Sequence, residues 1–347
     1  MRAVLVLVAA LALVGCPPTL SKPESAAHRD ALAEGDRHAG HGRDEEAADA
    51  YGRAADEADR RVDRDEALYR QSRAEVDAGH PERAIELLMQ IVNTHPPSRR
   101  TPRALFDAGR LKYELGDVDG AIALFRRVTL EFPSEGPAAR GLVWWLRHFE
   151  ENDQVDRALA VLDWLLPQVR RSKLGDDILA HEARLRFAQD DREGARAALE
   201  RTVRDYPYPY GHRWDDATLQ LAEMDVEDGE YRRAIARLEA MLERSEGTSM
   251  VGSYTLPAFA EALMQIAKIQ RVHLRDRDAA DAAYEAVYDE YETSLLRDDA
   301  LVERGEMWLD AGDRERGCDY LREAVDEFEV GSARRRAAAR LEADCGG

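Results

Sequence analysis

Lysine is almost missing from this chain: only Lys22, Lys112, Lys173 and Lys268 occur among its 49 basic residues. Acidic residues number 69, so the formal net charge over 347 residues is −20. Such a chain has little with which to displace counterions from phosphates, which excludes nucleic acid as a partner. No apolar run approaches the roughly 20 residues needed to cross a bilayer, which excludes a polytopic membrane protein. Also absent are a Gly-rich phosphate loop, H-E-x-x-H, C-x-x-C and G-x-S-x-G, each of which supplies a defined piece of catalytic or binding chemistry. The nine histidines are scattered. His38 and His41, near Asp36, Asp44 and Glu45, come closest to a chelating set, and they read as solvated surface residues. With so many carboxylates, acidic pairs at helical spacing arise by chance. No enzyme, metal or cofactor is expected.

Cysteine is also scarce, with Cys16, Cys318 and Cys345 only. Cys16 closes a distinctive start: Arg2, an apolar run from Ala3 to Val14, then Gly15-Cys16-Pro17-Pro18. One positive charge, a short apolar core and small residues before a break describe a secretory signal peptide over residues 1–15. Leu13-Val14-Gly15-Cys16 resembles the lipobox of bacterial lipoproteins. The resemblance implies that Cys16 is acylated and becomes the mature N-terminus. No aspartate follows it, which in that family sorts the protein to the outer membrane. Residues 16–27 then read as the lipidated N-terminus and a polar, proline-bearing tether. The expected address is the outer membrane, lipid-anchored and facing the periplasm.

The rest of the chain repeats. A small residue opens an apolar stripe at Ala47, Ala84, Ala121, Ala158, Ala195, Ala234, Ala280 and Gly317, at spacings of 37, 37, 37, 37, 39, 46 and 37. Four residues later stand Tyr51, Leu88, Phe125, Leu162, Leu199, Leu238, Tyr284 and Leu321. Seven later stand Ala54, Ile91, Val128, Leu165, Thr202, Met241, Val287 and Ala324. Offsets of 0, 4 and 7 are one face of an α-helix. Sixteen before each small residue lies a core position of a preceding helix: Ala31, Leu68, Leu105, Leu142, Leu179, Thr218, Met264 and Leu301. Short turns part the two helices, as in Leu115-Gly116-Asp117 and Ala311-Gly312-Asp313, where glycine closes one helix and the polar residue caps the next.

This pattern is similar to the tetratricopeptide repeat, with the copy at 102–133 matching best through Leu105, Gly109, Gly116, Ala121, Phe125 and Pro133. The resemblance implies an all-α, right-handed superhelical solenoid of about eight helical hairpins. Their ranges are 28–59, 65–96, 102–133, 139–170, 176–207, 215–246, 261–292 and 298–329. Two departures stand out: Asp153 replaces the turn glycine of the fourth copy, and Lys268 falls in a slot of the seventh that is usually small.

Gly331 breaks the last hairpin, and residues 330–347 read as a capping helix and tail. If that helix folds back on its predecessor, Cys318 and Cys345 come together. Lipidation of Cys16 leaves these two as an even pair in an oxidising compartment, and a disulfide is expected.

In this family the inner face of the array is lined by the first helix of each hairpin. The slot eleven before the marker holds Arg73, Arg110, Arg147 and Arg184, each 37 apart, and nearby slots hold Tyr69, Phe106, Tyr113 and Phe187. In the sixth and eighth copies the slot is Glu223 and Glu306, so the groove changes sign. One reading is a ladder of guanidinium forks for an acidic partner. The competing reading pairs the arginines with Glu75, Asp77, Glu114 and Glu150 inside the groove wall.

Two interruptions break the period: Tyr206-Pro207-Tyr208-Pro209-Tyr210-Gly211-His212-Arg213-Trp214, and the nine added residues around Gly247 to Pro257. The expected function is a protein-interaction scaffold of the cell envelope, binding envelope proteins or extended acidic peptide segments and touching the membrane through its lipid only. In repeat type it resembles the helical lipoprotein of β-barrel assembly and the periplasmic repeat protein of the Tol-Pal system. The alternative is a groove for cell-wall glycan or an acidic polymer.

Overall fold

A computed structural model describes residues 24–244 and 256–346. Cys16, its signal segment and most of the 247–257 insertion lie outside the described residues. Among the described residues there are seventeen α-helices and no strand. The chain forms two compact units, the first of residues up to Val128 with Arg140–Trp144, the second of Thr129–Ala139 with Trp145 onward.

The helices come in pairs: α1 (Ala26–Ala39) with α2 (Asp44–Asp56), α3 (Arg61–Asp77) with α4 (Pro81–Val92), and α5 (Thr101–Glu114) with α6 (Val118–Glu131). Next come α7 (Gly136–Glu150) with α8 (Val155–Val169), and α9 (Leu174–Ala188) with α10 (Arg192–Asp205). The last three pairs are α11 (Trp214–Glu227) with α12 (Tyr231–Leu242), α13 (Leu256–Ile269) with α14 (Arg277–Glu290), and α15 (Arg297–Asp310) with α16 (Arg314–Glu327). A short α17 (Ser332–Arg340) closes the chain and runs on into a π turn, Leu341–Cys345. Within each unit a helix packs on its sequence neighbours and little else. That is the one-dimensional stacking of a hairpin array.

The stripe read from the sequence is the core. Ala47, Ala84, Ala121, Ala158, Ala195, Ala234 and Ala280 have no exposed surface, and every residue at offsets 4 and 7 is buried. Each buried leucine or phenylalanine contributes about 1.5–3 kcal/mol relative to exposure, so one stripe per hairpin is a substantial share of stability.

The turns share one construction. Five residues before each marker the backbone is left-handed, at Gly42, Gly79, Gly116, Asp153, Asp190, Gly229, Arg275 and Gly312. Left-handed backbone closes the first helix, and glycine adopts it without strain. One residue later, Asp117, Asp191, Asp276 and Asp313 accept a backbone N–H three residues on and cap the second helix.

The seventh hairpin corrects the register drawn from the sequence. A π turn, Gln270–Leu274, follows α13 and adds one residue to it. Upstream of that turn every slot moves by one: Ala267 is buried and Lys268 is exposed. The small slot is therefore Ala267, and Met264, half-buried, is displaced from the core position by one residue.

Candidate functional site

Shifting the seventh hairpin by one residue places Lys268 in the groove slot. The slots of the first unit are Asp36, Arg73 and Arg110, and those of the second are Arg147, Arg184, Glu223, Lys268 and Glu306. The sign alternation is thus richer than the sequence reading, which did not count Lys268.

In the first unit, Arg70 of α3 pairs with Asp36 through two bonds of 2.6 and 2.8 Å, and Tyr51 donates to the same carboxylate at 2.8 Å. Arg110 pairs with Glu114 at 2.6 Å, one turn along its own helix. Arg103 is held by Asp107 at 2.9 Å. Arg73 is different: it is exposed, and no hydrogen bond or ion pair holds it among the described residues. It stands where two groove cavities meet, of about 370 and 500 Å³, both lined by Tyr69, Arg73 and Asp77.

The predicted aromatics sit deeper than a docking ladder requires. Tyr69 and Phe106 are buried, and the Tyr69 hydroxyl donates to Asp107 at 2.8 Å. Burial, then the Asp107 charge, pushes the Tyr69 hydroxyl above its ordinary range. Arg140 lies 5.2 Å from the Phe106 ring centre and Arg103 5.9 Å, and Arg100 lies 4.7 Å from the Tyr69 ring centre, which places a cation on each ring. Tyr113 meets Trp144 edge-on, with ring centres 5.5 Å apart. Tyr69 and Phe106 therefore offer little exposed surface to a partner.

In the second unit Arg184 grips Glu150 with two bonds of 2.8 and 2.7 Å. That hydrogen bonding, and the added field of Arg184, hold the Glu150 carboxyl below its usual range. Arg147 is exposed on α7 and strengthens the same field. Phe187 is 40% exposed and borders a cavity of about 350 Å³ with His181, Arg184, Arg213 and Gln220. Burial drives the His181 imidazole below its ordinary range, which keeps it neutral beside those cations. Farther along, burial and then the charges of Glu223 and Asp216 raise the Glu261 carboxyl. Lys268, exposed and without an ion pair among the described residues, borders a neighbouring cavity with Glu261, Arg271 and Glu303. Glu306 is engaged by Arg336 of α17 at 3.2 Å.

Sequence reasoning missed the buried ion clusters. Asp225 of α11 has no exposed surface and is surrounded by Arg196 at 2.6 Å, Arg233 at 2.8 Å and Arg237 at 3.1 Å. Burial alone would raise its carboxyl; hydrogen bonds from Arg233 and Arg196 and the charge of Arg237 overcome that and lower it. Asp281 is likewise buried among Arg304, Arg316 and the Trp308 indole N–H. No motif announces either cluster, because the partners come from three different helices.

Cys318 and Cys345 stand at disulfide distance, their Cα atoms 5.9 Å apart. In the interruption between the fifth and sixth hairpins, Tyr210 projects into solvent while Trp214 is buried and packs on Tyr208. Two sets of side chains that can ligate a metal occur among the described residues: Glu24, His28 and Asp63, and Asp176, Asp177 and His212. In the second set His212 Nδ1 lies 3.0 Å from Asp176 and Nε2 lies 3.2 Å from Asp177, so both ring nitrogens are occupied by carboxylates.

Residues 69–137 match a family model described as tetratricopeptide repeat, and residues 181–207 and 261–294 match a second model of the same description. These segments thus carry tetratricopeptide repeats. No curated protein matches it. Among solved structures it is similar to a tetratricopeptide repeat protein from Parabacteroides merdae, at 16% identity over 80% of this chain and 98% of that one, with a TM-score of 0.36. The C-terminal part of a repeat-containing protein from Cytophaga hutchinsonii is 14% identical over 78% and 99%, with a TM-score of 0.44. The APC/C hetero-tetramer Cut9-Hcn1 matches at 14% identity over 90% of this chain and 55% of that one, with a TM-score of 0.40.

Proposed function

We propose that this tetratricopeptide-repeat chain is a non-enzymatic protein-interaction scaffold, held at the outer membrane by lipid on Cys16 and working in the periplasm. Its partners are envelope proteins that present an acidic, extended segment. The observation that carries the partner chemistry is Arg73: an exposed guanidinium with no ionic partner among the described residues, at the junction of two groove cavities and beside Tyr69. A guanidinium presents a planar fork that matches a carboxylate, and one already free of partners gives up no internal ion pair on binding. Arg110 and Arg184 would have to release Glu114 and Glu150 first. That narrows the expected contact from a ladder to a single anchoring rung in the first unit.

The test is crosslinking in native membranes with an affinity tag at Gly347, followed by mass spectrometry. Arg73→Ala is expected to reduce recovery of the principal partner, and Arg110→Ala to leave it nearly unchanged. Equal recovery from both variants and the wild type overturns the Arg73 assignment. Cys16→Ala is expected to release the protein from the membrane fraction, and retention there would overturn the anchor.

A further inference from the structure

At the entry to the first unit, three side chains with metal-ligating atoms converge. Glu24 precedes α1, His28 lies in its first turn, and Asp63 lies in the first turn of α3. One ligating atom of each lies within 4.8 Å of the others. His28 is 1% exposed, and its Nδ1 is 2.7 Å from the carbonyl oxygen of Ala54. A carbonyl only accepts, so Nδ1 carries the proton, and in the neutral ring Nε2 is then a bare lone pair. What faces Nε2 is no donor but another acceptor, the Glu24 carboxylate at 3.5 Å. Two groups that both accept, one of them buried, call for a cation between them.

Asp63 is buried too and takes a two-bond fork from Arg60, at 2.6 and 2.7 Å. Each carboxylate oxygen keeps a second lone pair, so Asp63 can hold Arg60 and a metal together. An imidazole fixed by a carbonyl at one nitrogen, with an arginine orienting the neighbouring carboxylate, is the outer-shell support that metal ligands require.

We infer that Glu24, His28 and Asp63 form a binding site for a divalent cation of the zinc class, which fastens the start of α1 to α3. One imidazole nitrogen and two carboxylate oxygens suit zinc, with water as a fourth ligand; magnesium and calcium take oxygen sets. The rival occupant is a proton on Nε2, which would turn the same contact into a simple ion pair. Asp176, Asp177 and His212 serve as the internal contrast, because both ring nitrogens of His212 already face carboxylates and none is left over.

The experiment is calorimetric titration of the full chain, stripped with a chelator, with Zn²⁺ near neutral pH, followed by thermal melts with and without the ion. One stoichiometric site and a raised melting temperature are expected. His28→Gln keeps a donor for Ala54 and is expected to weaken binding by at least about tenfold, and Arg60→Gln by roughly 10–100-fold. His212→Gln is expected to bind as the wild type does. Glu24→Gln, at a half-exposed position, is expected to weaken binding as well, and it decides the matter if His28→Gln fails to fold. Absence of stoichiometric binding by the wild type overturns the site in favour of the proton. So does affinity that survives Glu24→Gln and His28→Gln, or that is lost only in His212→Gln.

Discussion

A Cβ placed on Gly109 would lie 2.7 Å from Cε1 of Phe125, so the ring of α6 packs directly onto the backbone of α5. The same relation recurs between Gly35 and Tyr51 at 2.5 Å and between Gly305 and Leu321 at 2.8 Å. Alanine is the better helix former, yet at Gly109 it has no room. Gly109→Ala is expected to destabilise by about 1–3 kcal/mol through overpacking. Gly52, inside α2, meets only the far end of Gln71, so Gly52→Ala is expected to stabilise by about 0.5–1 kcal/mol. Urea melts of the two variants, which should move in opposite directions, check both.

Arg275 holds a left-handed φ of 59° at the turn position that is glycine in five of the eight hairpins. A side chain there costs about 1–2 kcal/mol. Arg275→Gly is expected to recover roughly that amount, and Gly312→Ala to lose it. An unchanged melting temperature in Arg275→Gly would mean that its side chain compensates by contacts elsewhere.

The imidazole of His212 is pushed up to about 10 by hydrogen bonds to Asp176 and then Asp177. A raised pKa means that the folded state binds the proton more tightly. The stabilisation is complete below the unfolded value near 6.5 and fades as the pH climbs through 10. His212→Gln is therefore expected to destabilise most at pH 6 and least at pH 10. Asp177 runs the other way: burial raises its carboxyl, but hydrogen bonds from His212 and Arg213 win and lower it, so its share is lost on acidification. Stability curves of the wild type and His212→Gln across this pH range test the sign.

Much of this architecture is legible because it is local. The stripe at offsets 0, 4 and 7 depends only on helical periodicity and nearest-neighbour stacking, and Ala121, Phe125 and Val128 could be placed in the core from spacing alone. The turns at Gly79, Gly116, Gly229 and Gly312 were equally readable, whereas Asp190 and Arg275 adopt the same backbone without the residue that advertises it. The seventh hairpin misled for a different reason. A π turn inserts a residue without changing composition, so counting back from Ala280 puts Lys268 in the usually small slot where Ala267 belongs. For the groove, Arg110 with Glu114 is an i,i+4 pair that sequence suggests. That Arg73 has no ionic partner among the described residues while Asp77 is near depends on side-chain paths that no spacing encodes.

The covalent link expected between Cys318 and Cys345 closes a loop of 27 residues. In the chain-entropy model that stabilises by about 3.5 kcal/mol. Cys345→Ser is expected to lower stability by that order, with the loss appearing equally in reduced wild type. Thermal melts with and without reductant check it, and a reductant effect that persists in Cys345→Ser would place the sensitive bond elsewhere.

The neighbour-only packing of the helices also makes the chain a mechanical element. A load applied at one end of a unit meets one hairpin at a time, because among the described residues each helix packs mainly on its nearest neighbours in sequence. Each hairpin should yield separately, as a series of small extensions rather than one rupture. The bond between Cys318 and Cys345 would withhold the last segment, so about 90 Å of extended chain stays out of reach until it is reduced. The cross-link would then act as a stop at the far end of a spring.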